Sequence, residues 1–331
     1  MILRKLYPLL IFILITSPNT FFAQEKNAKK VIKIGVIQSF SHPHVDADIK
    51  GFEKALTEAG FKEGIHLTYL RRNARGNRAD AEKIAQKLLE DKVDLIHSIA
   101  SFASQAAVKK TRQRPIVFSS VTNPVDVRLV PKNSPPGTKS GTNVTGVTDR
   151  WPVPLQFEMY THFFPKAKKW GTLYNRRDPV SLLHIREMRE TAKRLGLELI
   201  ETTISSKADT MEAAQTLAGK IQAMNITFDL TALSAFDGIV KVCSEKKIPL
   251  FVGDVDKVST GAMAAYGFNH DEVGYLAGKK AVRILQGERP GDLPWGPVEK
   301  LSLVINEKAA KAQGVVIPPE FLRKADRVIE E

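Results

Sequence analysis

Cysteine is almost absent from this sequence, since Cys243 is the only one among 331 residues. One thiol cannot form an intramolecular disulfide or a cysteine-based metal site. The surrounding Val-Lys-Val-Cys-Ser pattern indicates a helix, so we expect Cys243 to be a small buried apolar side chain. Cys243 also lies far from the N-terminus, and the sequence lacks the cysteine that a lipoprotein would need there for lipid attachment.

Catalytic motifs are lacking as well. The sequence has no Gly-x-Ser-x-Gly elbow, no His-Glu-x-x-His pair, no phosphate-binding loop and no Gly-x-Gly-x-x-Gly after a strand. His42 and His44 flank Pro43, but no cluster of histidine, cysteine or glutamate at ligand spacing accompanies them, so we predict no metal site. We therefore expect a protein that is not an enzyme and that carries no cofactor.

Apolar runs long enough to cross a membrane are missing too. Leu6–Ile15 is mostly apolar, but its length of about ten residues is short of the roughly 20 that span a bilayer. Arg4 and Lys5 precede this run, and polar residues and Ala23 follow it, which is the layout of a secretory signal peptide. We predict that residues 1–23 form this peptide and that the protein is periplasmic. An uncleaved membrane anchor is the alternative, and the cleavage site stays open.

The charge is strongly of one sign, with 49 lysines and arginines against 36 aspartates and glutamates and a net charge of +13. Such an excess can indicate a nucleic acid or an anionic membrane surface as partner. Here the basic residues are scattered, and most alternate with acidic residues along helical stretches such as Arg186–Glu190. No basic stripe is interleaved with aromatic residues. We therefore expect no nucleic-acid partner and interpret the charge as a property of the surface.

After residue 30, apolar runs of strand type alternate with stretches that have apolar residues at helical spacing. In the first such stretch Ile49, Phe52 and Leu56 fall on one helical face, and Gly60 ends it. The predicted strands are Val31–Ser39, Ile65–Leu70, Leu95–Ile99, Pro115–Val121, Asn143–Thr148, Lys169–Tyr174, Glu198–Thr203, Phe228–Leu233 and Leu250–Val252. The predicted helices are Val45–Ala59, Ala79–Leu89, Phe102–Lys110, Leu155–Phe163, Ser181–Leu195, Met211–Gln222 and Gly238–Lys246.

Strict alternation predicts parallel sheets covered by helices on both faces. Two sets of similar size predict two doubly wound α/β lobes. In such sheets ligands bind beyond the carboxyl ends of the strands. We therefore expect the functional residues in the loops that begin at Gln38, Ile99, Val121, Asn175, Leu233 and Gly253.

Short fragments along the strands and at these loops occur in an order that is typical of a known family. They are His42-Pro43, Asp94-Leu95-Ile96 with Ala100-Ser101, Pro115–Ser119 with Val121–Pro124, Asn143–Val147, Leu173–Asn175, Ile248–Phe251, Gly261-Ala262 with Tyr266-Gly267, Gly274 and Ile284–Gly287. In order and spacing the sequence resembles the periplasmic binding components of ABC importers of the tryptophan/tyrosine-import type, which have the type I periplasmic-binding-protein fold. The resemblance extends from about Ile34 to Ile329.

The resemblance implies two lobes joined by a three-strand hinge. Lobe one would comprise residues 31–148 and 262–290, and lobe two residues 149–261 and 291–331. It also implies a monomer that binds a small amino-acid-like solute, with an aromatic amino acid as one option, and that closes around it by a hinge motion. The partner would be an ABC transporter permease in the inner membrane. A periplasmic ligand sensor for a signalling partner is the alternative, because the same fold serves receptors.

A free amino acid needs hydrogen-bond donors for its carboxylate and an acidic or carbonyl acceptor for its ammonium group. Ser101 begins a helix whose backbone N–H groups suit a carboxylate, although it fits a simple cap equally well. Thr122 and Asn123 follow a central strand, although they also fit an ordinary turn. Asp254 is the predicted partner of a ligand amine, with a cap as the alternative, whereas Asp178 is typical of a helix N-terminus. The predicted ligand-binding residues are Phe40, His42, Ser101, Phe102, Thr122, Asn123, Asn175, Ser234, Phe236 and Asp254.

The sequence departs from the family pattern in two places. The family commonly has an Asp-Asn pair after the strand predicted at Phe228–Leu233, whereas Ser234-Ala235-Phe236-Asp237 stands here. Asn123 replaces a more usual aspartate. Both changes leave the ligand open, with another small acid or a nucleobase-like solute as alternatives to an aromatic amino acid.

Overall fold

The structure, a computed structural model, describes residues 31–330, so the predicted signal peptide lies outside the described residues. Among these residues, no helix is long and apolar enough to cross a membrane. The strands are β1 (Ile32–Gln38), β2 (Leu67–Asn73), β3 (Leu95–Ile99), β4 (Ile116–Ser119), β5 (Val144–Thr148), β6 (Lys169–Tyr174), β7 (Glu198–Thr203), β8 (Ala223–Ile226), β9 (Leu250–Val252), β10 (Ala264–Gly267), β11 (Gly296–Pro297), β12 (Ser302–Asn306) and β13 (Arg327–Ile329). The helices are α1 (Pro43–Glu58), α2 (Arg78–Glu90), α3 (Ser101–Lys110), α4 (Val153–Phe163), α5 (Pro179–Arg194), α6 (Lys207–Ala218), α7 (Leu230–Ser234), α8 (Phe236–Lys246), α9 (His270–Leu285), α10 (Glu307–Ala312) and α11 (Pro319–Lys324).

The strands form two sheets. The first has the order β11-β5-β4-β3-β1-β2, and the second has the order β13-β12-β10-β9-β8-β6-β7. The pairs are parallel with the exception of β10 with β12. Parallel neighbours need long crossover connections, which the intervening helices supply. The predicted α/β class with two parallel-sheet lobes is confirmed.

The chain passes between the two sheets three times: after β5, after β10 and after β11. Three crossings are what the family resemblance implied. Two short strands belong to the other sheet than the implied boundaries place them in. Ala264–Gly267 is hydrogen-bonded in the second sheet, and Gly296–Pro297 is hydrogen-bonded in the first. Sheet membership therefore changes a few residues later than positions 262 and 291. The lobe boundaries as a whole stay a prediction.

The strand predicted at Phe228–Leu233 is wrong. The strand is β8, which ends at Ile226, and most of the predicted segment forms α7. The helix begins there because the side chain of Asp229 caps it, accepting a hydrogen bond from the N–H of Ala232 at 2.8 Å. The true strand carries the buried polar residue Asn225, which interrupts the apolar run that normally marks a buried strand.

Helices α1 and α9 lie against each other through glycines. A Cβ atom added to Gly274 would lie 1.8 Å from the carbonyl oxygen of Asp48, and one added to Gly51 would lie 2.0 Å from that of Asp271. Such distances leave no room for a methyl group, so backbone packs on backbone at this contact. The close packing fixes the starts of both helices, where His44 and His270 stand.

Tyr160 in α4 fixes the second sheet in a similar way. Its side chain is fully buried, and its hydroxyl donates to the carbonyl of Val252 at 2.5 Å and accepts from the N–H of Tyr266 at 2.9 Å. The ring of Phe251 stacks on it at 4.7 Å. Helix α4 is thereby tied to the ends of β9 and β10, the two strands that lead to Asp254 and His270.

The glycine contact yields a prediction for stability. We expect Gly274→Ala to lower the free energy of unfolding by about 1–3 kcal/mol, because the methyl group forces the helices apart. Gly238→Ala is the matched control, since Gly238 is also helical and its Cβ would lie 3.9 Å from the nearest atom. That control should leave stability unchanged or raise it by up to about 1 kcal/mol. Urea unfolding of both variants measures the difference, and equal effects would contradict the packing argument.

Candidate functional site

A cavity of about 190 Å³ lies where the carboxyl ends of strands from both sheets meet. Its walls come from the loops after β1, β3, β4, β5 and β8 and from the first residues of α5 and α9. This is the position that the strand–helix alternation predicts for a ligand. The lining residues are Phe40, His42, His44, Val45, Ala100, Ser101, Phe102, Ser120, Thr122, Asp149, Asp178, Val180, Phe228, Leu230 and His270.

Half of the predicted site residues line this cavity, and they all belong to the first lobe as predicted. They are Phe40, His42, Ser101, Phe102 and Thr122. The structure brings them together because β1, β3 and β4 are neighbours whose carboxyl ends share one edge of the sheet. Their role in binding stays a prediction, but their grouping is a property of the fold.

The other predicted residues lie elsewhere. Asn123 holds a turn by donating to Asp126 at 2.6 Å, and Asn175 donates to Thr231 at 3.0 Å. Ser234 and Asp254 line neighbouring cavities on the far side of His44. The misplaced strand accounts for two of these positions, because residues after 233 do not follow a strand end. Phe236, for example, begins α8 and is buried in the apolar core of the second lobe.

Two strand ends in the first lobe have unusual backbone conformations. Ala100, after β3, has a φ of 66°, and Ser120, after β4, has a φ of 51°. L-residues rarely adopt this region, and such strain is found preferentially at functional sites. Ala100 turns the chain into α3, and the N–H groups of Ser101 and Phe102 donate no hydrogen bond within residues 31–330. These two N–H groups adjoin the cavity.

A buried carboxylate holds the strained Ser120 in place. Asp48 in α1 accepts hydrogen bonds from Ser119 at 2.7 Å and from Ser120 at 2.5 Å. His97 in β3 contacts the same Ser119 hydroxyl at 2.7 Å, and its ring stacks on Phe52 at 3.8 Å. A fully buried carboxylate is costly unless such donors surround it, so the network fixes the end of β4 at the cavity wall.

Two carboxylates face the cavity. Asp178 caps α5, accepting from the N–H of Val180 at 3.0 Å, and its other oxygen lies 2.9 Å from the hydroxyl of Ser181. Asp149 accepts from Thr122 at 2.9 Å, and its second oxygen lies 3.8 Å from Nε2 of His270. Sequence reasoning missed Asp149, although it stands directly after the carboxyl end of β5. The structure shows both the helix-terminal position predicted for Asp178 and its exposure to the cavity.

The loop after β8 is the true counterpart of the one predicted after residue 233. It reads Thr227-Phe228-Asp229-Leu230, so an aspartate is present and a leucine follows it where the family pattern has asparagine. Asp229 is buried and accepts from the backbone N–H of Asn175 and from Ser181, both at 2.6 Å. It thereby ties the loop to the start of α5, while Phe228 and Leu230 face the cavity.

His44 and His270 form the remaining wall. Their rings are parallel to within 1° with centroids 4.3 Å apart, and Nε2 of His44 lies 3.1 Å from a carboxylate oxygen of Asp254. Burial lowers the pKa of His270, but the carboxylates of Asp149, Asp254 and Asp48 outweigh burial and raise it above the usual value. Burial raises the pKa of Asp254, but the His44 contact outweighs this and lowers it. The part of the chain that the structure describes contains no group of three potential ligands that could hold a metal ion.

His184 in α5 is stacked beside Trp151 with ring centroids 6.3 Å apart. It is 1 % exposed. Burial lowers its pKa to about 4. In the unfolded chain an ordinary histidine has a pKa of about 6.5, so on acidification the unfolded state takes up the proton first. His184 therefore reduces stability progressively as the pH falls from about 6.5 to about 4.

We expect His184→Phe to weaken this pH dependence, because phenylalanine keeps the ring and cannot be protonated. The loss in unfolding free energy between pH 7 and pH 4.5 should be smaller in the variant by about 2 kcal/mol. Urea unfolding at the two pH values measures it. His162→Phe, on the exposed side of α4, is the control and should behave like the wild type. The same loss in His184→Phe and in the wild type would mean that His184 is not held neutral by burial.

Two α/β lobes whose strand ends frame a ligand-sized cavity define a two-lobed binding protein of the type I periplasmic-binding-protein class. The model of the family described as ABC transporter substrate binding protein matches residues 33–329 of this chain. The chain belongs to that family, as the sequence fragments predicted. Proteins of the family bind solutes for ABC transporters outside the cytoplasm, and this membership supports the importer interpretation over the sensor alternative.

Three similar proteins illustrate the relationship. A protein of Clostridioides difficile strain R20291 named tyrosine-binding protein is 33% identical over 289 residues, which cover 87% of this chain and 83% of that protein. A conserved domain protein from Vibrio cholerae has a solved structure with a TM-score of 0.77 and 32% identity, covering 90% of this chain and 100% of that chain. An ABC domain from Streptococcus pneumoniae, solved in complex with L-Trp, has a TM-score of 0.76, 29% identity and the same coverage.

Proposed function

We propose that this protein binds a free α-amino acid with an aromatic side chain in the cavity between its lobes and presents it to an ABC transporter permease. One observation carries the proposal. A single cavity combines the unpaired N–H groups at the start of α3, the carboxylates of Asp149 and Asp178 and several aromatic rings. These groups match the ligand's carboxylate, its ammonium group and its aromatic side chain, in that order.

The ligand's carboxylate would lie at the start of α3. The N–H groups of Ser101 and Phe102 are free to donate, and the partial positive charge of a helix N-terminus favours an anion. The hydroxyl of Ser101, the first residue of α3, adds a further donor. The side chain of Thr122, by contrast, already donates to Asp149.

The ligand's ammonium group would lie between Asp149 and Asp178. Asp178 belongs to α5, which packs on the second sheet, whereas α3 packs on the first. An amino acid held at both ends would therefore bridge the lobes and favour their closure, since a ligand stabilises the state that it binds better. Phe40, Phe102 and Phe228 surround the remaining space and would pack against the side chain.

The relatives support this ligand class. The similar Clostridioides difficile protein is named for tyrosine, and the similar Streptococcus pneumoniae domain was solved with L-Trp. We further propose that residues 1–23 direct export to the periplasm, that the protein acts there as a monomer, and that binding is reversible with no chemical step. Asp254, predicted as the amine partner, is less suited to that role, because His44 contacts it and it does not line this cavity.

Calorimetric titration of the chain without its predicted signal peptide tests the proposal. We expect tryptophan, tyrosine or phenylalanine to bind, and their amides and deaminated analogues to bind much more weakly, because each loses one of the two charged anchors. A screen in which no amino acid produces heat or raises the melting temperature would contradict the proposal.

A charge-neutral substitution tests the proposed ammonium site. Asp178→Asn keeps a good helix cap but removes the charge, so it should weaken tryptophan binding roughly 10- to 100-fold, which corresponds to about 1.5–3 kcal/mol. Indole-3-propionate, which has no amine, is the matched ligand and should bind both forms equally. A similar effect on both ligands, or no effect on tryptophan, would remove Asp178 from the ammonium site.

A further inference from the structure

A second cavity of about 220 Å³ adjoins the ligand cavity, and the rings of His44 and His270 line both. The two imidazoles therefore stand between the cavities as a shared wall. The other residues that line the second cavity are Pro43, Ala47, Asp254, Asp256, Lys257 and Thr260.

The shared wall is anchored from several directions. His44 is placed by the start of α1, where its N–H donates to Nδ1 of His42 at 3.3 Å, and its Nε2 lies 3.1 Å from Asp254 beyond β9. Its contacts therefore join the first lobe to the second. His270 begins α9, is 4 % exposed and has its Nε2 3.8 Å from Asp149. Parallel stacking of the two rings at 4.3 Å leaves no gap for a ligand between them.

Two carboxylates and one lysine line the second cavity. Asp254 is 1 % exposed and Asp256 lies beside it, and no lysine or arginine forms an ion pair with either within residues 31–330. Lys257 lies over the ring of Phe236, with Nζ 5.5 Å from the ring centroid, and the charge of Arg327 acts on Asp256. Within the described residues, His44 is the only side chain that forms an ion pair with Asp254. A carboxylate that loses this partner would need another donor or cation.

We propose that the His44–His270 pair determines ligand specificity by closing the ligand cavity against the second one. With the pair in place, a ligand side chain ends at the imidazoles and meets aromatic and weakly polar surface. With His44 removed, the cavities join and a long side chain reaches Asp254 and Asp256. The pair thus excludes amino acids that carry a cation at the far end of the side chain. This inference rests on the proposed function, because it assumes that an amino acid occupies the first cavity.

The test compares His44→Ala, which opens the wall, with His44→Phe, which keeps a ring but cannot bind Asp254. Titrations with tryptophan, arginine and citrulline measure each affinity, citrulline being the uncharged analogue of arginine. We expect His44→Ala to bind arginine at least tenfold more tightly than the wild type does, with a smaller change for citrulline. His44→Phe should keep the wild-type preference, and Asp254→Asn added to His44→Ala should abolish the gain for arginine.

His162→Ala on the exposed side of α4 controls for a general effect of losing a histidine and should leave all three affinities unchanged. If arginine and tryptophan affinities of His44→Ala keep their wild-type ratio, the wall does not set specificity and the inference is overturned, while wild-type tryptophan binding still supports the proposed function. If the wild type binds no aromatic amino acid, the proposed function fails. The inference about the wall is then tested with arginine alone. A melting-temperature shift with arginine in His44→Ala but not in the wild type would support the inference. No shift in either protein would overturn it.

Discussion

Parallel pairing within both sheets is the constraint on which the rest of this structure depends. In a parallel sheet all carboxyl ends lie at one edge, so each loop that follows a strand delivers its side chains to the same place. Residues far apart in sequence, such as Phe40, Ser101, Thr122 and Phe228, therefore line one cavity. The three passages between the sheets place two such edges opposite each other. The topology therefore sets the position of the cavity, and the sequences of the loops determine which side chains line it.

Buried carboxylates convert this arrangement into a defined geometry. Asp48 holds the end of β4 through two serine hydroxyls, and Asp229 holds the start of α5 through Ser181 and a backbone N–H. Each buried carboxylate needs such donors, and these donors lie at or next to the ends of β4 and β6 and at the start of α5. The carboxylates therefore restrict the loops without contacting a ligand. The polar residues that face the cavity can then differ while the framework remains.

Much of the fold could be predicted from the sequence, because strand and helix periods are local properties. The predicted strands Leu95–Ile99, Lys169–Tyr174, Glu198–Thr203 and Leu250–Val252 coincide with those of the structure. The strand β8 was missed because buried Asn225 interrupts its apolar pattern. The apolar residues around Asp229 have a pattern that is typical of a strand, although they form α7. That single displacement moved the predicted second-lobe site by several residues, to Ser234 and beyond.

The site itself was predictable only where it follows directly from strand ends. The first-lobe residues Phe40, His42, Ser101, Phe102 and Thr122 were found in this way, and Asp149 could have been. The stacking of His44 on His270 could not be predicted, because it depends on the glycine contact between α1 and α9. The His44–Asp254 contact could not be predicted from the sequence either, since it joins elements that pack on different sheets.

A crystal structure of the protein grown with tryptophan is the measurement that tests the central claim most directly. The account requires the ligand's carboxylate within hydrogen-bonding distance of the N–H groups of Ser101 and Phe102 and its ammonium group beside Asp149 and Asp178. The indole would lie among Phe40, Phe102 and Phe228, with His44 and His270 still stacked. A ligand bound outside this cavity, or bound in it with its two charged groups exchanged, would contradict the account.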